Sequence, residues 1–257
     1  MKKRVVIIVG PTSSGKSALA VSLARKFDGE VISADSRQVY RGLNLGTGKI
    51  TKQEMKGVHH HLLDVVSPKR SFTAHDFVQH GKGAIESIVR KGKLPIVAGG
   101  SGFYIDALLG RIVLPEVPIN AELRRRLEKK TAPQLFAVLH KRDPRRAKSI
   151  DPHNKRRLIR ALEIADSLGQ SPRPRTTLEY DALWLGIAHP IRELEKKIRN
   201  RLDQRLKDGM LAEARRLNRD GLSYKRMDTL GLEYRSLARL LKGDITRDKM
   251  AEELNTY

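Results

Sequence analysis

Apolar residues in this chain come in two rhythms. Short continuous runs, Arg4-Val5-Val6-Ile7-Ile8-Val9, Glu30-Val31-Ile32-Ser33-Ala34, Leu94-Pro95-Ile96-Val97-Ala98 and Leu183-Trp184-Leu185-Gly186-Ile187-Ala188, have the look of strands buried on both faces of a parallel sheet. Between them apolar positions recur every three or four residues, as in Leu19, Leu23 and Phe27, or Phe77, Ile85, Ile88 and Val89, which predicts helices. Thr73 suits the cap of a helix running to about Lys91. Pro190 suits the first turn of a long helix with Ile191, Leu194, Ile198, Leu202 and Leu206 inside and Arg199, Arg201 and Arg205 on its other faces. Gly209 interrupts that helix, Met210 to Leu217 continue it, and further helices fall around Leu230 to Leu241 and from Thr246. Residues 41 to 73 follow neither rhythm and read as irregular. Strands alternating with helices predict an α/β class, a parallel sheet flanked by helices.

The first strand runs into Gly10-Pro11-Thr12-Ser13-Ser14-Gly15-Lys16-Ser17, which fits G-x-x-x-x-G-K-[ST], the phosphate-binding loop found in many nucleotide-binding and ATP-binding proteins. Gly10 and Gly15 let the backbone curl so that successive N–H groups point at an anion. The following helix adds its positive end. Lys16 brings a point charge to phosphate oxygens, and the Ser17 hydroxyl is placed to ligate Mg²⁺. The motif does not say which phosphate it holds.

The second strand ends at Asp35-Ser36-Arg37-Gln38-Val39-Tyr40. Ligands of parallel sheets bind beyond the carboxyl ends of the strands, so Asp35 is expected on the edge that carries the phosphate loop. The third strand opens into Gly99-Gly100-Ser101-Gly102, a second Gly-rich turn that suits close approach to a ligand or to backbone, or a simple tight turn. The run His59-His60-His61 is not read as a zinc site, because adjacent histidines do not converge on one metal and no Cys or His stands at ligand spacing.

Charge changes the picture. Lys and Arg total 51 against 29 Asp and Glu, a formal net charge of +22 in 257 residues, which points to a polyanionic partner. From Asn120 to Arg160 there are 14 Lys or Arg and 4 Asp or Glu, nearly half of the surplus in one sixth of the chain. Leu123, Leu127, Leu135, Val138, Leu139, Leu158, Ile159 and Leu162 keep helical spacing through that stretch, so it reads as a small helical module with a basic exterior, a footprint for a phosphate backbone. Gly169-Gln170-Ser171-Pro172-Arg173-Pro174 reads as the linker out of it. The expected organisation is a phosphate-loop core over 1–118, a helical insertion over 119–179 and the rest of the core over 180–257. There are no cysteines, which excludes disulfides, zinc–thiolate sites and thiol catalysis. No stretch approaches the ~20 apolar residues of a membrane span. A soluble, cytoplasmic protein is expected.

Together these stretches resemble the tRNA dimethylallyltransferases, or tRNA isopentenyltransferases, essentially end to end. The resemblance rests on the phosphate loop, Ile32-Ser33-Ala34-Asp35-Ser36-Arg37-Gln38-Val39-Tyr40, Gly46-Thr47-Gly48-Lys49, His60-His61-Leu62-Leu63-Asp64, Val97-Ala98-Gly99-Gly100-Ser101-Gly102-Phe103-Tyr104 and Arg157-Leu158-Ile159-Arg160-Ala161-Leu162-Glu163. Gly231-Leu232-Glu233-Tyr234-Arg235 is a variant of the family's more usual Gly-Tyr-Lys-Glu segment. Members of the family usually continue past Asn255-Thr256-Tyr257 through a basic segment to a final strand and helix, so the chain reads as a truncated copy.

The resemblance implies transfer of a dimethylallyl group from dimethylallyl diphosphate to the exocyclic amine of the adenosine just 3′ of the anticodon. It implies that Gly10, Pro11, Thr12, Ser13, Ser14, Gly15, Lys16 and Ser17, with Arg201, hold the diphosphate and Mg²⁺. Asp35 would be the base and Thr12 the hydroxyl that steers amine and leaving group. Asp35, Ser36, Arg37, Gln38, Ser101, Arg124, Arg156, Arg157, Leu158, Ile159 and Arg160 match positions that touch tRNA. The partners are then a tRNA anticodon stem-loop and dimethylallyl diphosphate, with no membrane and a monomeric enzyme. The adenine is expected to flip into a channel between sheet and insertion. A small-metabolite kinase accounts equally well for residues 10 to 17, an adenylate isopentenyltransferase would use a free nucleotide, and a non-catalytic RNA-binding protein would leave Lys16, Ser17 and Asp35 idle.

Overall fold

The computed structural model describes residues 2–172 and 178–255. Five strands, β1 (Lys3–Val9), β2 (Gly29–Ser33), β3 (His60–His61), β4 (Leu94–Ala98) and β5 (Tyr180–Gly186), form one sheet in the order β3-β2-β4-β1-β5. All pairings are parallel, with Ile7 opposite Val97 and Trp184, and Ile32 opposite His61 and Val97. The described residues divide into two compact units, 2–109 with 178–255 and 110–172.

In the first unit the helices are α1 (Lys16–Lys26), α2 (Lys52–Met55), α3 (Ala74–Arg90) and α4 (Gly102–Leu108), joined after the second unit by those numbered α9 to α13 below. Alternation along the strands sends Val5, Ile7, Ile32 and Val97 to one face, where Phe77, Ile85, Ile88, Ile105 and Leu108 of α3 and α4 cover them. Val6, Ile8, Val31 and Ile96 point to the other face, under Ala20 and Ala24 of α1. The α1 stripe is therefore not the Leu19–Leu23–Phe27 row: its buried side is Ala20, Val21 and Ala24, and Phe27 is exposed. Small residues let α1 lie close to the sheet, and the larger apolar residues flank the contact. Val89 is likewise outside the α3 stripe.

The second unit holds α5 (Ala121–Glu128), α6 (Ala132–Arg142), α7 (Pro144–Ala147) and α8 (Lys155–Leu168). Leu123, Leu127, Leu135, Leu139, Leu158, Ile159 and Leu162 interlock in its core. The helix starts are capped by Asn120, Thr131, Asp143 and Asn154, each accepting a backbone N–H at the third helical residue. The helix break read at 169–174 begins at Gly169, while Arg173 and Pro174 lie outside the described residues.

Back in the first unit, α9 (Ile191–Lys207), α10 (Met210–Arg219), α11 (Tyr224–Met227), α12 (Leu232–Lys242) and α13 (Arg247–Asn255) gather a separate core. Leu202, Met210, Leu217, Leu237, Met250 and Leu254 enclose Val39, Tyr40 and Leu43 of the segment after β2. Ile191, expected inside, is exposed at the very start of α9. The supposedly irregular 41–73 stretch holds α2, started by a Thr51–Glu54 capping box, and the two-residue β3.

His59, just before β3, and His61 within it do come to one place. Their rings meet edge to face at 4.4 Å, and with Glu30 their ligand atoms lie within 4.8 Å of one another. The expectation that the run could not converge fails because every second residue of extended chain shares a face. The Glu30 carboxylate is already surrounded, however. It accepts from His61 Nε2 at 2.8 Å and Lys91 Nζ at 3.1 Å, with Lys93 at 3.5 Å.

Burial alone would raise the Glu30 pKa, but the hydrogen bonds from His61 and Lys91, with their charges, reverse this and hold it at about 2. A depressed carboxyl stabilises the fold above its ordinary pKa and loses that contribution as pH falls through the folded value. The stability gap between wild type and Glu30→Gln should therefore be widest above pH ~5, at most about 3 kcal/mol. It should close as pH falls towards 2. Urea titrations of both proteins across that range check it, and a gap independent of pH contradicts it.

Candidate active site

The strand order brings the carboxyl ends of β1, β2 and β4 together, and a cavity of about 730 Å³ opens there in the first unit. Thr12, Ser13, Ser14, Gly15, Lys16 and Ser17 form one wall. Asp35, Arg37, Gln38, Gly99 and Gly100 form the next. Lys197, Asn200, Arg201, Gln204 and Arg205 of α9 close a third, with Glu233 and Tyr234 beside them.

The phosphate loop is already curled. Gly15 takes φ +93° at the start of α1, a region open to glycine. Gly10 has no room for a side chain, since a Cβ would meet Ile187 O at 2.8 Å and Ser14 Oγ at 2.9 Å. Gly10 and Pro11 stand behind the cavity wall, where their carbonyls accept from Lys16 Nζ at 2.9 and 2.6 Å. The loop is also pinned from beyond the end of β5, as His189 Nε2 donates to Ser14 O at 3.0 Å. Burial lowers the Lys16 pKa, Asp35 opposes the shift and Arg201 adds to it, so ammonium, carboxylate and guanidinium share one electrostatic neighbourhood.

Asp35 follows the end of β2 and turns back on its own chain. Its Oδ1 accepts from the Arg37 and Gln38 amides at 2.8 and 3.3 Å. Among the described residues nothing donates to Oδ2. Ser101 Oγ accepts the next amide, Ser36 N, at 3.0 Å, which fixes the segment to the β4 turn. That turn needs Gly99, because a Cβ there would overlap the Ala34 carbonyl. Of the readings open for the glycine-rich turn, close approach to backbone is the one realised. Thr12 and Asp35 face the same cavity, and Arg201 spans its rim, donating to Ser13 Oγ at 3.4 Å and Gly48 O at 2.8 Å. Burial lowers the Arg201 pKa, against the pull of Glu54, Glu233 and Asp35.

The donor set suits a hard divalent cation. The Ser17 hydroxyl has no hydrogen bond among the described residues and lines the cavity with a carboxylate and the anion loop, all oxygen chemistry. His60 is a further wall residue. Its Nδ1 donates to Val58 O at 2.9 Å, which leaves Nε2 as a buried acceptor with no partner among the described residues. Burial and the neighbouring histidines lower its pKa, against the Val58 hydrogen bond, and so favour the neutral ring.

In the second unit Arg156 and Arg157 are exposed at the start of α8, with no ion pair among the described residues. Arg124 and Arg160 differ. Arg124 forms a two-pronged pair with Glu163, whose side chain is fully buried, at 3.0 and 2.7 Å. Arg160 donates to Glu163 at 3.5 Å and to Val117 O at 2.8 Å. Leu158 and Ile159 lie in the core at 0% and 6% exposure, which takes their side chains out of any RNA footprint.

Sequence reasoning missed three things here. Arg205, read as an outer residue of α9, is buried at 9% exposure. Glu213 is buried too, and its carboxylate accepts the amides of Asn44, Leu45 and Gly46 and the hydroxyl of Tyr234, so it holds the 44–48 turn against the cavity. Lys197, Asn200 and Gln204 share the Arg201 face. The available signal was the four-residue spacing of Lys197, Arg201 and Arg205, which puts three cations on one side of a helix.

The pattern that defines the IPP transferase family matches residues 38–257. A tRNA dimethylallyltransferase of Geotalea uraniireducens is 40% identical over 256 residues, covering all of this chain and 84% of that one. One from Treponema denticola is 40% identical over 98% of this chain and 87% of its own. Among solved structures, a full-length tRNA isopentenylpyrophosphate transferase from Bacillus halodurans superposes with a TM-score of 0.72 at 35% identity, over 99% of this chain and 82% of that one. A eukaryotic dimethylallyltransferase captured acting on tRNA reaches 0.86 at 29% identity, over 99% of this chain and 66% of the other. With its phosphate loop, its strand-end carboxylate and its matched segments all accounted for, the chain belongs to the IPP transferase family.

Proposed function

We propose that this protein transfers a dimethylallyl group from dimethylallyl diphosphate to the exocyclic amine of the adenosine 3′-adjacent to the anticodon of tRNA, releasing diphosphate. The observation that carries the reading is the Asp35 carboxylate facing the phosphate loop across one cavity, in a chain 40% identical to tRNA dimethylallyltransferases.

The adenine amine is a poor nucleophile because its lone pair is delocalised into the ring, so it must lose a proton as it attacks. Asp35 is held by two amides through Oδ1 and has its other oxygen for that proton. Attack forms the C–N bond as the allylic C–O bond breaks, and the electron pair leaves on diphosphate. Loop amides, Lys16 and Arg201 stabilise that charge as it develops. Ser17 would hold a divalent ion, Mg²⁺, which neutralises part of the leaving group's charge when bound. Thr12 stands between the two halves of the reaction. Its hydroxyl can donate to the leaving oxygen and accept from the amine.

Arg37, Gln38 and Ser36 border the base and suit contacts to the nucleotide. Exposed Arg156 and Arg157 suit the phosphate backbone of the anticodon stem. No helix among the described residues is long and apolar enough to cross a membrane, in keeping with an enzyme that meets tRNA in the cytoplasm.

Incubating the protein with an anticodon stem-loop and dimethylallyl diphosphate should add one five-carbon unit by mass, and chelation of Mg²⁺ should stop it. Asp35→Ala should slow the transfer by about 10²–10⁴-fold and leave RNA affinity within a factor of about two. Collapse of RNA binding in that variant would make Asp35 a structural residue. Reversing charge at Arg156 and Arg157 should instead weaken RNA binding. The slope of log affinity against log salt should fall by about one for each phosphate that is no longer neutralised.

A further inference from the structure

Arg205 is the strangest cation in the first unit. It is nine-tenths buried, it lines the cavity, and its guanidinium makes no hydrogen bond to any described residue. A buried guanidinium with five donors and no acceptor is costly. Its one acidic neighbour within ion-pair range among the described residues is Glu233, at 3.8 Å, too long for the forked hydrogen bonds that arginine makes with a carboxylate.

Another cation stands against it. A Cβ on Gly48 would collide with Nη2 of both Arg205 and Arg201, so the two guanidinium groups crowd the same point beside the 46–48 turn. Burial, with Arg201 adding to it, pushes the Arg205 pKa down to about 10, which still leaves it charged at neutral pH. Lys197, Arg201 and Arg205 thus form a like-charged row on α9, and like charges four residues apart destabilise a helix. Such a row is satisfied by an anion with more than one charge.

We propose that Arg205 is a second guanidinium ligand for the diphosphate, kept beside Arg201 by Glu233 and released from it when the anion arrives. The proposal rests on the reading of this cavity as a diphosphate site. It adds a residue that the motif match did not supply. Arg201 reaches the loop through Ser13, and Arg205 stands one guanidinium behind it. A planar fork there can take two oxygens of the far phosphate. Glu233 belongs to the segment in which this sequence departs from the usual family pattern. A carboxylate at that place is the counter-charge that holds the buried Arg205 beside Arg201.

The test is calorimetric binding of inorganic diphosphate with Mg²⁺ to the full chain, without RNA. Arg205→Gln should weaken binding by roughly 10- to 100-fold, and Arg205→Lys should recover only part, because an ammonium lacks the fork. Glu233→Gln should tighten binding several-fold in the wild-type background and change little in Arg205→Gln, a non-additive pair. Glu233 is partly exposed, so its variant keeps the cycle readable if Arg205→Gln folds poorly. In turnover, Arg205→Gln should raise KM for dimethylallyl diphosphate more than it lowers kcat. Wild-type affinity in a folded Arg205→Gln, or an equal Glu233→Gln effect in both backgrounds, overturns the proposal alone. No binding by the wild-type protein overturns the diphosphate reading of the cavity and the proposal with it.

Discussion

The site depends on how closely two strand ends can approach. Ala34 N donates to Ala98 O at 2.8 Å, Ser101 N donates back to Ala34 O, and Gly99 N reaches Ile8 O. These bonds tie the ends of β2, β4 and β1 into one rim. They form only because Gly99 carries no side chain, so the Ala34 carbonyl can occupy the space a Cβ would fill. Asp35 and the phosphate loop are the residues that follow β2 and β1. Their facing one another is therefore a property of the sheet, and the loops inherit it.

From that rim outward the structure is layered by function. Rigid, apolar faces of the sheet set positions. The 44–48 turn, which no strand supports, is held instead by the Glu213 carboxylate collecting three amides. That places Gly48 O where Arg201 can bond it, and so connects a buried acid on α10 to a cation at the cavity mouth. The polar wall is preorganised by bonds that lie outside the cavity. This is how a site keeps charged groups aimed before its ligand arrives.

Much of this was legible in the amino acids. The strands and the phosphate loop were plain because continuous β-branched runs and a spaced Gly-x-x-x-x-Gly-Lys-Ser leave few alternatives. Asp35 was legible because the rule that ligands bind at carboxyl ends of strands turns position along the chain into position in space. Periodicity failed where two stripes competed. In α1 the apolar Leu19, Leu23 and Phe27 row lost to Ala20, Val21 and Ala24, because packing on a sheet rewards close approach over bulk. It failed again on α9, where polar positions were assumed to face water and Arg205 does not. Spacing also misjudged His59 and His61, whose convergence with Glu30 depends on a two-residue strand that no pattern announces. The motif around Leu158 mixed residues that face outward with residues that build a core, and only burial separates them.

Lys16 does one thing more. Its ammonium bonds the Gly10 and Pro11 carbonyls of its own loop. The cradle is thus braced by the very side chain that, on the proposed function, turns to the diphosphate. On that proposal, substrate entry asks for a swivel of one flexible arm in a loop whose main chain is already curled. A braced loop of this kind loses little conformational freedom on occupancy, so more of the intrinsic attraction survives as affinity.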